Sequence, residues 1–137
     1  MNVYINLPVE DVARTREFFA ALGFSFNERF CSDDALAVKL NDNAGLMLLA
    51  REKFRQFTPH EIADTKNSSQ TLIALQLDSR AAVKEIVAKA LENGGTTVQP
   101  ENDMGFMYLH AFADPDGNIF EPFFMDEAAM AHAEAAQ

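Results

Sequence analysis

The stretch Val3-Tyr4-Ile5-Asn6-Leu7-Pro8-Val9-Glu10-Asp11 predicts a strand that leads directly into a helix. Its first five residues have strand-forming character, Pro8 lacks a backbone donor, and Asp11 suits a helix N-cap. A second start of this kind, Leu75-Gln76-Leu77-Asp78-Ser79, follows at an offset of 68 residues, from position 7 to position 75. The identities are weak, so the predicted repeat rests on the order of the elements.

Three strand-like runs follow each start, which predicts the order β-α-β-β-β twice and an α+β protein. A glycine ends each predicted helix, Gly23 in the first unit and Gly94 in the second. The predicted runs are residues 24–30, 36–40 and 46–50 in the first unit, and residues 96–98, 106–112 and 119–124 in the second.

These units predict one domain over residues 1–126, with modules at about 1–51 and 70–126 and a connection at 52–69. One module alone buries only one face of its sheet, so we expect two modules to form a curled mixed sheet around a cleft. A small ligand would bind in such a cleft. Residues 127–137 are Ala-rich and predict a short C-terminal helix capped by Asp126.

Composition excludes several classes of partner. The chain has 137 residues, 48% of them hydrophobic, and no apolar run of the length that spans a bilayer. Its start lacks the basic and apolar segments of a signal peptide, so we expect a cytoplasmic protein. The formal net charge of −10 repels phosphate backbones and anionic membrane surfaces, so we expect no nucleic-acid and no membrane partner.

Two motifs resemble those of the vicinal oxygen chelate superfamily, which has the glyoxalase/bleomycin-resistance fold. Residues 6–11, with Phe18-Phe19 and Leu22-Gly23-Phe24, resemble its opening, and Asp114-Pro115-Asp116-Gly117-Asn118-Ile119-Phe120-Glu121 resembles its closing hairpin. The resemblance covers residues 2–126 and implies the fold and a homodimer. The segments 54–64 and 105–108 are most similar to a branch called predicted lactoylglutathione lyases.

The resemblance also implies where a metal would bind. Members of the superfamily chelate a divalent metal through four strand positions, usually two histidines and two carboxylates. Here these positions fall on Tyr4, Met47, Leu72 and Glu121. Leucine and methionine do not bind hard cations usefully, and a phenol stays protonated at neutral pH. Only Glu121 is a suitable ligand, so we expect no bound metal and no cofactor.

The residues of this chain also argue against two reactions of the superfamily. Extradiol dioxygenases have a tyrosine where this chain has Ala111, and residues 102–104 provide no catalytic histidine. A glyoxalase reaction needs a Lewis acid to stabilise an enediolate. We therefore expect no dioxygenase activity.

Glu121 is the candidate catalytic base, because the family motif directs it into the cleft. If Pro115-Asp116 are the two central residues of the turn, His110 lies opposite Glu121 on the neighbouring strand. The two would then form a general acid/base dyad. The alternative is a structural ion pair or two exposed side chains, and a bulge would shift the register and remove the pair.

The remaining candidates are ligand-binding residues. Tyr4 and Asn6 share one face of their strand, and we expect that face to line the cleft. Ordinary core positions are the alternative for the apolar candidates. The apolar wall is expected from Met47, Leu72, Phe106 and Tyr108.

Two functions follow from these expectations. The first is a glyoxalase-like protein that binds a small molecule in the cleft between modules and acts as a lyase or isomerase with Glu121 as base. Its substrate would be a small oxygenated or thiol-conjugated molecule. The second is a metal-independent module that binds or sequesters a small molecule without turnover, as the drug-binding members of the superfamily do.

Overall fold

The computed structural model describes residues 1–136, and these form two compact units that meet in sequence between Ser68 and Ser69. The predicted tail extends to Gln137, which lies outside the described residues. Within residues 1–136, no helix has the length and apolar character needed to cross a bilayer.

The first unit is a four-stranded sheet with one long helix. Its elements are β1 (Val3–Val9), α1 (Val12–Ala21), β2 (Ser25–Phe26), β3 (Ala35–Asn41), β4 (Ala44–Ala50) and α2 (Arg51–Arg55). The strand order is β1-β4-β3-β2, in which β1 runs parallel to β4 and the other neighbours are antiparallel.

The second unit repeats this arrangement in a more broken form. The elements are β5 (Leu72–Leu77), α3 (Arg80–Glu92), β6 (Thr96–Thr97), β7 (Asn102–Asp103), β8 (Met107–Leu109), β9 (Phe112–Ala113), β10 (Ile119–Met125) and α4 (Glu127–Ala135). β5 runs parallel to β10, and β8 and β9 pair antiparallel with the other side of β10. If β8 and β9 are counted as one interrupted strand, the strand order matches that of the first unit.

The helices begin where the sequence predicts. The side chains of Asp11, Ser79 and Asp126 each accept a hydrogen bond from the backbone N–H three residues ahead, at 3.0–3.1 Å. Gly23, with a φ of +96°, follows the end of α1. The α+β prediction, with a repeated β-α-β-β-β order and a C-terminal helix, is confirmed.

One long helix packs against one face of each sheet. Phe18 and Phe19 of α1 are buried against β3 and β4. In the second unit α3 packs against β10, and the buried rings of Phe112 and Phe120 stack 5.5 Å apart. We call this side the helix face and the opposite side the open face. The open face carries Tyr4, Asn6 and Met47 in the first unit and Leu72, Ala74 and Glu121 in the second.

Three strand predictions differ from the structure. The run 24–30 forms only the two residues of β2, because a 3₁₀ turn at Glu28–Phe30 bends the chain away. β1 continues through Pro8, which the edge position of this strand in its sheet tolerates. The run 106–112 is interrupted at residues 110–111.

Candidate functional site

The closing hairpin has a three-residue loop. The Asp114 N–H donates to the Asn118 carbonyl at 2.9 Å, and the Gly117 N–H donates to the Asp114 carbonyl at 3.0 Å. Gly117 has a φ of +89°, as the last position of a three-residue hairpin loop requires. The predicted two-residue turn at Pro115-Asp116 is therefore wrong by one residue.

This slip changes every cross-strand pair of the hairpin. Phe112 pairs with Phe120, and the His110 N–H donates to the Pro122 carbonyl at 3.2 Å. Pro122 therefore lies opposite His110, and a one-residue shift moves a side chain to the other face of the sheet. The predicted pair of His110 with Glu121 is wrong. Within residues 1–136, no ion pair or hydrogen bond joins their side chains.

Tyr108 lies on the helix face for the same reason, since it pairs with Phe124 instead of Phe123. Its hydroxyl donates to the Glu101 carboxylate, and the Lys84 ammonium lies 5.5 Å from the centre of its ring. Burial, assisted by Glu101, raises the pKa of Tyr108 to about 12. The expectation that Tyr108 forms part of an open-face wall is therefore wrong.

Phe106 and His110 also lie apart from Glu121 in the strand pairing. Phe106 precedes β8, and its carbonyl accepts a hydrogen bond from the Asp126 N–H at 2.7 Å. His110 is half-buried and lines a hollow of about 230 Å³ together with residues 97–100. No described strand pairing places either residue on the open face beside Glu121.

Asp114 is a buried carboxylate that the sequence analysis did not single out. It accepts hydrogen bonds from the backbone N–H groups of Asp116 and Asn118 and from the Asn118 side-chain amide, at 2.8–3.0 Å. Burial raises its pKa to about 6, although these hydrogen bonds favour the ionised form. Its three bonds stabilise the loop, so its role is structural. An aspartate followed by a proline and a glycine is the signal that could have identified it.

The open face of the first unit places three predicted ligand-binding residues together. Tyr4 lies beside Gly45, and Asn6 lies beside Met47. Next to these, Gly45 pairs with Lys39 on β3. Paired residues of neighbouring strands project to the same face. Tyr4, Asn6 and Met47 therefore share this face, as strand alternation predicts.

A concavity of about 460 Å³ lies against this face. Two of its lining positions, Ala37 and Gly45, carry almost no side chain. The Tyr4 ring lies over Gly45: a Cβ atom there would lie 3.3 Å from the ring and 3.0 Å from the Val38 carbonyl. The lining is Tyr4, Asn27, Phe30, Ala37, Val38, Lys39, Asn41, Asp42, Ala44, Gly45, Leu46 and Met47.

The open face of the second unit carries the acidic candidate. Glu121 is half-buried and pairs with Ala74, while Leu72 pairs with Ile119 and is 55% exposed. Glu121 has the same place in its sheet as Met47 has in the first, because each lies on the last strand beside a corresponding residue of the first strand: Asn6 is two places after Tyr4, and Ala74 is two places after Leu72. The carboxylate and the thioether are thus structural equivalents.

The four positions that the fold implies for a metal do not fit one. They carry a phenol, a thioether, an isobutyl group and one carboxylate, from Tyr4, Met47, Leu72 and Glu121. A divalent cation in a catalytic site takes about three protein ligands with nitrogen, oxygen or thiolate donors. Elsewhere in residues 1–136, no three histidine, cysteine or acidic side chains are grouped for metal binding.

Comparison with protein families gives one match over most of the chain. The family described as Glyoxalase/Bleomycin resistance protein/Dioxygenase superfamily matches residues 3–121. A comparison with curated proteins found no match.

Solved structures with a similar fold include three proteins from bacteria. A hypothetical protein from S. aureus is 25% identical, with a TM-score of 0.77, and the match covers 88% of this chain and 91% of that one. A glyoxalase/bleomycin resistance protein/dioxygenase family enzyme from Burkholderia phytofirmans is 19% identical, with a TM-score of 0.73 and coverage of 89% and 96%. A glyoxalase-related enzyme from Fulvimarina pelagi is 18% identical, with a TM-score of 0.76 and coverage of 90% and 87%.

Proposed function

Because the chain belongs to the glyoxalase/bleomycin resistance protein/dioxygenase superfamily, we propose that it binds a small organic molecule against an open sheet face without using a divalent metal. The observation that carries this proposal is the concavity on the open face of the first unit. Its volume of about 460 Å³ falls within the usual range for small-molecule sites, roughly 300–1,000 Å³.

The chemistry of the lining supports a ligand that is mainly apolar. Tyr4, Phe30 and Met47 offer apolar or aromatic surface around the nearly bare positions Ala37 and Gly45. Sites of this type are mostly apolar and contain a few polar groups that fix the orientation of the ligand. Here Asn27 and Lys39 are two such groups.

The absence of suitable donors at the positions implied for a metal supports binding that does not depend on one. Met47 replaces a carboxylate at the position equivalent to Glu121, and Leu72 replaces a histidine at the position equivalent to Tyr4. The remaining carboxylate is a single ligand, which is too few for a catalytic metal centre.

A neutral fluorescent dye, phenylnaphthylamine, tests this proposal on the purified full chain. We expect the dye to bind with the same affinity before and after dialysis against a chelator. The variant Ala37→Leu should weaken binding roughly tenfold, because the added side chain fills the concavity. The matched control is Ala74→Leu, an exposed position on the open face of the second unit, and it should leave the affinity unchanged.

Two results would overturn the proposal. One is a stoichiometric metal in the purified protein whose removal abolishes dye binding. The other is an Ala37→Leu variant that remains folded by circular dichroism and binds the dye as the wild type does.

A second candidate function is a glyoxalase-like lyase or isomerase, as in the lactoylglutathione lyase branch. The observation that favours it is the half-buried position of Glu121 on an open face between apolar neighbours. The Glu121 carboxylate would take the proton from the carbon that bears the hydroxyl and the thioether and return it to the neighbouring carbonyl carbon, while the hydroxyl proton moves to the former carbonyl oxygen, so that a hemithioacetal is isomerised to a hydroxy thioester.

Turnover of a hemithioacetal, made from a small ketoaldehyde and a thiol, tests this candidate. Glu121→Gln should reduce kcat by at least about a hundredfold if the carboxylate is the base. Glu127→Gln, on the exposed first turn of α4, is the control and should keep full activity. If the wild-type protein does not turn over this substrate, the second candidate is excluded and the binding function remains.

A further inference from the structure

We propose that the ligand of the first unit carries an anionic group, such as a carboxylate, which Lys39 binds. This inference rests on the proposed binding function and names the class of ligand. The ligand would be a small amphipathic acid, with a flat apolar part and one negative charge at its end.

The charge distribution of the protein gives the first argument. The chain has 11 basic and 21 acidic side chains, so a lysine has many possible partners. Lys39 nevertheless forms no ion pair with any described residue, whereas Lys89 and Arg80 each pair with a carboxylate. Among the residues that line the concavity, Lys39 is the one cation. Its charge is therefore available to a ligand.

The strand register gives the second argument. Tyr4, Gly45 and Lys39 occupy neighbouring positions on three adjacent strands, with the glycine in the middle. Adjacent strands lie about 4.8 Å apart, so the backbones of Tyr4 and Lys39 are separated by about 10 Å. The Tyr4 ring covers part of that distance, because it lies over Gly45, where there is no side chain. A flat apolar group packed against the Tyr4 ring would therefore place an acidic group at its end within reach of Lys39.

The polar lining agrees with an acid as ligand. The side-chain amides of Asn27 and Asn41 belong to the lining and can donate to a carboxylate or sulfonate. Asp42 is the one acidic residue of the lining, and it lies in the exposed turn between β3 and β4. Lys39 would repel a cationic ligand, whereas an anionic ligand gains a charge-assisted hydrogen bond from it.

Two dyes that differ by a single sulfonate test the inference: anilinonaphthalene sulfonate and its uncharged parent, phenylnaphthylamine. We expect Lys39→Met to weaken binding of the sulfonate dye about five- to tenfold more than it weakens binding of the neutral dye. The methionine keeps the apolar stem of the lysine, so only the charge is removed. Lys66→Met, at an exposed position in the connection, is the control and should change neither affinity.

Salt provides an independent measurement. Raising the ionic strength should weaken wild-type binding of the sulfonate dye and should have no such effect on the Lys39→Met variant. Equal affinity of Lys39→Met and wild type for the sulfonate dye would overturn the inference.

The failure of this inference is distinguishable from failure of the proposed function. If the neutral dye binds and Ala37→Leu blocks it, the binding function stands whatever Lys39 does. If neither dye binds the wild-type protein, both proposals fall.

Discussion

The two units use the same scaffold for opposite chemistry on their open faces. In the first unit the last strand carries Met47 at the central position, and a lysine lies one strand away. In the second unit the equivalent position carries Glu121, beside Ala74 on the first strand. Both positions pair in parallel with the first strand of their unit. Met47 also pairs with Ala37 on β3, whereas the strand on the other side of Glu121 is interrupted at residues 110–111.

This contrast separates the residues that stabilise the fold from the residues that are available for function. The helix faces of both units are filled by large apolar side chains, such as Phe18, Phe19, Phe112 and Phe120. The open faces combine small and large side chains with a charged group, Lys39 in one unit and Glu121 in the other. Packing needs explain the helix faces, whereas the charged groups on the open faces have no packing reason.

The largest expected effect comes from truncating the helix face. Phe120→Ala should lower the free energy of unfolding by about 3–5 kcal/mol, because a fully buried ring leaves a cavity. Leu72→Ala on the open face of the same sheet should change it by less than about 0.5 kcal/mol, since this side chain is 55% exposed. Urea denaturation measures both values. Similar losses in the two variants would show that the assignment of faces is wrong.

The second largest effect is a pH dependence of stability that we expect from the closing hairpin of the second unit. The raised pKa of Asp114, about 6, means that the folded protein binds a proton more tightly than the unfolded chain does. Its contribution to stability is therefore least favourable above pH 6 and improves as the pH falls towards 4. Relative to Asp114→Asn, the wild type should gain about 2–3 kcal/mol between pH 7.5 and pH 4. Denaturant unfolding across this range measures the gain.

The control for this prediction is Asp42→Asn, in the exposed hairpin of the first unit. Its stability should follow the pH dependence of the wild type. Hydrogen bonds from the Asn67 side chain and the Gly105 N–H hold the pKa values of Asp64 and Asp103 below their usual range. Those contributions are common to all three proteins and cancel in the differences. Parallel curves for wild type and Asp114→Asn would contradict the assignment to Asp114.

The smallest effect tests the equivalence of the two central positions. Glu121→Met gives the second unit the residue that the first unit has, and it should raise the free energy of unfolding by about 0.5–1 kcal/mol. The reason is that a half-buried carboxylate between apolar neighbours is exchanged for apolar surface. Thermal unfolding detects such a change. A loss of more than about 1 kcal/mol would show that Glu121 has a stabilising partner and a structural role.

Local patterns were sufficient to predict the architecture. Helix caps such as Asp11 and Asp126, and the positions of Gly23 and Gly94, are decided by nearby residues, so the sequence predicts them well. The repeated element order could be predicted for the same reason. The two-residue length of β2 could not, because the 3₁₀ turn that follows it depends on contacts with β3.

The site was harder to predict, because faces depend on register. Counting Pro115-Asp116 as the whole turn shifted the hairpin by one residue and moved His110 and Tyr108 to the wrong side of the sheet. The glycine at position 117 was the sequence signal for a third loop residue, because that loop position takes the positive φ that Gly117 has in the structure. Lys39 was missed because a lone lysine in a strand has no motif. Metal-free binding, the homodimer and the cytoplasmic location stay predictions.

The parallel pairing of β1 with β4 has a consequence for the order in which the first unit assembles. Val3 pairs with Ala44, so the chain must close a loop of some forty residues before this contact forms. The hairpin of β3 and β4 closes across a short turn and needs no such search. We therefore expect β1, which carries Tyr4 and Asn6, to dock after the β3–β4 hairpin has formed, so that the tyrosine side of the concavity is completed later than the side that the hairpin provides.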